Sequence, residues 1–190
     1  MGGAINAYSK VMNFIYTLIG IIVVVAIAFF GYQYLFGNET IQSNSNYFEI
    51  TVSQKYMFEN NTEATDAALE IAIWSATDGL YVFGYTYLKE DNAEEGTLKS
   101  HVEEEIKAIA ETEGNRDVTE LKEEIIDGKT AYTYTFCYTD NEVSESFMSK
   151  IVWIEAEEEY YALIIECPEA EKDTYTEVLD KIGQSFKVIK

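Results

Sequence analysis

The residues best able to do chemistry are few and poorly placed for it. His101 is the only histidine, so any Ser-His-Asp or Cys-His mechanism must use it. It falls on the predicted solvated face of an acidic helix, and no G-x-S-x-G elbow accompanies it. With one histidine and two separated cysteines, a closed structural zinc site lacks ligands. Cys137 and Cys167 also lack C-x-x-C spacing. If consecutive hairpins pair, a third strand separates them, which is too far for a bridge. Two free, half-buried thiols are expected.

Gly128-Lys129-Thr130 resembles the end of a phosphate loop, but that loop needs a glycine where Glu123 stands and a helix afterwards. A hairpin turn is expected instead. Asp91–Val102 opens like a calcium loop with Gly96 at its sixth place, yet Ala93 and Val102 occupy ligand positions. Glu103-Glu104-Glu105 and Glu157-Glu158-Glu159 fan out or alternate faces, so neither run converges on one ion. No catalytic residue, cofactor or metal is expected.

The remaining candidates are aromatic. Tyr132, Tyr134, Phe136 and Tyr138 share one face of a strand by period-two spacing, as do Tyr81, Phe83, Tyr85 and Tyr87. Core packing accounts for most of such a set, but tyrosine keeps a polar tip and suits a recognition surface. Tyr81, Tyr85, Tyr132, Tyr134 and Tyr138 are the predicted binding residues.

The elements carrying them follow from periodicity. Tyr47–Val52, Leu69–Trp74 and Leu80–Leu88 read as strands, with Asn60–Ala67 a polar loop. Leu98, Val102, Ile106 and Ile109 recur at helical spacing within Thr97–Thr112, Thr97 able to cap its start. Asp117–Ile126 and Lys129–Thr139 flank Asp127-Gly128 as a hairpin, and Met148–Glu155 with Tyr160–Cys167 form another. Ala170–Phe186 reads as a closing amphipathic helix. Strands joined by tight turns imply an α+β fold, a mainly antiparallel sheet covered by two helices.

Charge divides the chain. Of the net charge of −21, residues 1–46 contribute nothing, because Lys10 and Glu39 cancel. The acidic remainder repels nucleic acid, so nucleic acid is excluded as a partner. Between those two charges runs an apolar segment of about the ~20 residues that span a bilayer, including Phe14, Ile15, Leu18, Ile21, Val24, Ile27, Phe30 and Leu35. Lys10 favours a cytoplasmic N-terminus. The rival is signal cleavage near Ala26-Ile27-Ala28, although the apolar run continues beyond a usual signal core. The expected organisation is a short cytoplasmic N-terminus (1–10), a transmembrane helix meeting the lipid bilayer (11–36), a polar linker (37–46) and an acidic extracytoplasmic domain (47–190).

Three stretches carry a family resemblance: Tyr47-Phe48-Glu49-Ile50-Thr51-Val52, Ile126-Asp127-Gly128-Lys129-Thr130-Ala131 before an aromatic strand, and Ile182-Gly183-Gln184-Ser185-Phe186-Lys187. Their layout resembles the PsbP-like family, although Ser53 and Tyr56 stand where members often have Pro and Trp. The resemblance implies a sandwich serving as a binding or assembly module without catalytic residues. The expected function is a membrane-anchored, single-pass, extracytoplasmic module recognising a protein or other envelope component. Alternatives are a structural subunit packing through its membrane helix, or an enzyme or transport accessory using carboxylates and tyrosines in a cleft.

Overall fold

Residues 19, 21–32, 37–60, 68–89 and 96–189 are described by the computed structural model. The chain divides into two units: Met1–Asn38 with Ser53–Lys55, and Glu39–Val52 with Tyr56–Lys190.

In the first unit residues 21–32 are helical. Ile21, Val24, Ile27 and Phe30 expose their side chains, whereas Phe14, Ile15, Leu18 and Leu35 lie outside the described residues. Among the described residues no helix is long and apolar enough to cross a membrane.

The second unit is α+β. Its large sheet has the order β3-β4-β5-β9-β8-β7-β6, built from β3 (Glu59–Asn60), β4 (Leu69–Ser75), β5 (Leu80–Leu88), β6 (Lys122–Ile126), β7 (Lys129–Asp140), β8 (Glu145–Glu155) and β9 (Glu159–Pro168). All neighbours are antiparallel. β6 to β9 form a meander of hairpins. Asp127 and Gly128, with φ of 50° and 73°, make the two-residue turn that matches strand twist.

A second sheet joins β1 (Asn38–Gln42), β2 (Phe48–Ser53) and β10 (Lys187–Val188) in the order β1-β2-β10. Here the structure corrects two expectations. Residues 38–42, expected within a polar linker, form β1, with Ile41 packed on the core. The closing helix, α2 (Lys172–Gln184) after a 3-10 turn at Glu169–Glu171, ends before Phe186. Ser185 ends it so that Phe186 can pack beneath β2 and β10 can pair with Phe48 and Glu49. β6 is likewise shorter than expected, because Asp117 sits at φ 53° and Arg116 pairs with Cys137 instead.

Helix α1 (Leu98–Glu111) begins at Thr97, whose side chain accepts from the Ser100 N–H while Ser100 closes a capping box. Strand alternation then assigns the two faces of the large sheet. One face, with Ile71, Val82, Leu163 and Ile165, packs under Phe48, Ile50, Leu179 and Ile182. The other carries most of the tyrosines, and α1 lays Leu98 and Val102 on part of it.

Candidate binding face

Strand register arranges the aromatic face in rows. Tyr85, Ala162, Trp153 and Tyr132 stand side by side across β5, β9, β8 and β7, and Phe83, Ile164, Ile151 and Tyr134 form the next row. Then come Tyr81, Glu166, Ser149 and Phe136. Helix α1 packs over Tyr132, Tyr134, Ile151, Trp153 and Ala162, so Tyr132 and Tyr134 are buried while Tyr81, Tyr85 and Tyr138 remain half-exposed. The five predicted residues therefore share a face, but Tyr132 and Tyr134 serve there as packing beneath the helix. Burial, reinforced by Glu105, pushes the Tyr134 phenol far up.

Beyond the helix four rings form a chain of contacts, and one of them holds a carboxylate. Tyr81 meets Phe147 edge-on with centroids 5.9 Å apart, Phe147 lies 5.7 Å from Tyr138, and Tyr138 lies 5.8 Å from Phe136. Between them the Tyr138 hydroxyl donates to Glu166 Oε1 at 3.0 Å. Burial raises the Glu166 carboxyl above its ordinary range, with Asp140 adding to the rise. No basic side chain among the described residues pairs with it.

The other end is only partly covered. A cavity of about 310 Å³ opens at the start of α1, lined by Tyr87, Thr97, Leu98, His101, Glu105, Trp153 and Tyr160 along with Gly96. His101, expected on a solvated face, packs edge-on against Trp153 at 5.4 Å. Helical spacing explains this: Leu98, His101, Val102 and Glu105 fall on one stripe, so His101 follows the buried pair. Trp153 Nε1 donates to Glu105 Oε2 at 2.8 Å. Glu166, Glu105 and Trp153 were not among the predicted binding residues, although period-two spacing places Glu166 on the face of Ala162 and Ile164.

On the opposite face Asp117, Cys137 and Glu169 bring ligand atoms within 4.8 Å of one another. These groups are already satisfied internally. Arg116 pairs with Glu169, and Lys172 Nζ bonds Asp117 at 2.9 Å, holding both carboxyls below their ordinary range. Burial raises the Cys137 thiol, so the thiolate a metal needs is disfavoured. Cys137 and Cys167 are both free and buried, more deeply than expected, and Met148 of β8 pairs with each.

A two-sheet sandwich with one helix on each face of the large sheet defines a PsbP-like fold. The cyanobacterial PsbP (CyanoP) of Synechocystis sp. PCC 6803 is similar over 80% of this chain and 92% of its own, at 12% identity and TM-score 0.59. The Ran-binding protein Mog1p of Saccharomyces cerevisiae is similar over 80% and 96%, at 11% identity and TM-score 0.53. At such identities the likeness is one of fold. The profile of the serine/threonine kinase C-terminal domain matches residues 40–188, and the chain belongs to that family. The search of curated proteins returned no match.

Proposed function

We propose that this chain is a non-enzymatic binding module, anchored by residues 11–36 as a single pass through the cell membrane, with its N-terminus cytoplasmic and its acidic domain outside. Its partner is a protein presenting basic and apolar side chains. The observation that carries this reading is the aromatic end of the sheet face, where Tyr81, Phe147, Tyr138 and Phe136 form a chain of ring contacts and Tyr138 bonds Glu166, which has no basic partner among the described residues. Aromatic rings around a carboxylate favour a cationic anchor residue, and the net charge of −21 steers basic surfaces toward it. The description of Mog1p as Ran-binding is consistent with a fold that serves protein recognition. The exposed apolar side chains of Ile21, Val24, Ile27 and Phe30 support lipid contact, and Lys10 supports the orientation. The non-enzymatic reading is supported by His101 packing on Trp153 and by the raised, buried thiols.

The test places a photo-crosslinking amino acid at Tyr81, and separately at Glu177 on α2, in the full chain in its native membrane. A discrete protein adduct should form from the first position alone. It should weaken with Glu166→Gln. Adducts from both positions, or from neither, would refute the partner surface. For the anchor, a reporter fused after Thr40 should be active only outside the cytoplasm, and the chain should resist alkaline extraction. Cytoplasmic reporter activity or release into the supernatant would overturn the topology.

A further inference from the structure

We infer that the cavity at the start of α1 is a second recognition site, which takes an alkylammonium group. Its size, about 310 Å³, lies at the lower end of the range for small-ligand sites. Three cation-attracting rings line it: Trp153 stands 5.7 Å from Tyr87, and Tyr160 lies in the same wall. Such walls favour a cation through the negative faces of their π-systems. One wall ring already shows this geometry, since Lys89 Nζ lies 5.0 Å from the Tyr160 centroid. That lysine's charge is taken up by Glu155 at 3.0 Å rather than by the cavity's own carboxylate.

That carboxylate is Glu105. Its Oε2 accepts from Trp153 Nε1 at 2.8 Å, and Lys89 and Lys99 pair instead with Glu155 and Glu123. A neutral apolar ligand would strip water from Glu105 and return nothing, whereas an ammonium group compensates it. An anion is disfavoured by the same carboxylate and by the chain's net charge of −21. The cavity lies at the end of the face opposite the Glu166 surface, so the site stands independently of the protein partner.

The ammonium group can belong to a small quaternary amine or to a lysine side chain. Titration calorimetry on the full chain in dodecyl maltoside distinguishes them, using choline, its neutral isostere 3,3-dimethyl-1-butanol, and N-acetyl-lysine amide. One or both cations should bind at least tenfold more tightly than the isostere. Choline alone would indicate a small quaternary amine; lysine amide alone would indicate a lysine side chain. Glu105→Gln should weaken binding at least tenfold, and Tyr87→Leu, which leaves the Trp153–Glu105 bond intact, should do the same if the first variant folds poorly. Equal binding of the isostere, or no binding of any probe to folded protein, would overturn the assignment. Because none of these readouts involves Tyr81 or Glu166, failure here leaves the partner surface standing, and the converse holds.

Discussion

The ring of Phe48 occupies the space that a side chain at Gly84 would need: a Cβ there would lie 2.7 Å from Phe48 Cζ and 3.3 Å from Ile71 Cβ. Phe48 is fully buried, stacked at 5.0 Å on Phe186 and edge-on to Tyr161 at 5.4 Å. The small sheet is thus pressed onto the large one through a missing side chain. Gly84→Ala should destabilise the domain by about 1–3 kcal/mol, the usual cost of overpacking a close-fitted core. Urea unfolding measures it, and an unchanged midpoint would show that the ring has room to move.

Ser185 joins the end of α2 to β2. Its Oγ accepts from the Thr51 N–H at 2.8 Å and lies 2.7 Å from the Ile182 carbonyl oxygen. Ser185→Ala leaves a part-buried N–H without its partner and should cost about 1–3 kcal/mol. The exposed contact of Ser146 with Thr139 provides the comparison, and Ser146→Ala should shift the unfolding midpoint much less.

Cys137 and Cys167 should be inert in the folded chain. Burial pushes the Cys167 thiol up to about 12 and raises Cys137 as well, and thiolate is the reactive form. Met148 between them keeps the cysteines roughly 9–10 Å apart, two strand spacings, beyond the reach of a disulfide. Iodoacetamide at mildly alkaline pH should label neither thiol in buffer and both in urea, as read by mass spectrometry. Rapid labelling in buffer would contradict the packing.

Glu166 should make stability depend on pH. Its folded carboxyl is raised above the ordinary 4.5, chiefly by burial. Between the unfolded and folded values the native state therefore holds a proton that the unfolded state has lost. The stability this group contributes is fully present below the ordinary value and is lost as pH rises through the folded one. Glu166→Gln removes that component, so the variant's urea midpoint should gain on the parent's as pH rises from about 4 to 7. A difference that stays constant with pH would rule out the shift.

Much of the fold was readable from local pattern. Thr97 with Leu98, Val102, Ile106 and Ile109 marked α1 nearly to its observed bounds, because capping and helical period are local properties. Asp127-Gly128 likewise marked its hairpin, since positive φ at consecutive positions selects those residues. β1, β3 and β10 were not seen. They are short, and β10 exists only by pairing with Phe48 and Glu49, at the far end of the domain sequence.

The candidate site divides in the same way. The sequence by itself determined that the tyrosines of β5 and β7 line single faces, because side chains alternate along any strand. It also determined the acidity of the domain and the apolar stretch before it. Only the tertiary structure decided that α1 lies over Tyr132 and Tyr134 while Tyr81, Tyr85 and Tyr138 stay half-exposed, and that four rings join in a chain with Tyr138 bonding Glu166. Alternation says which residues share a face; what covers that face depends on contacts between segments far apart in the chain.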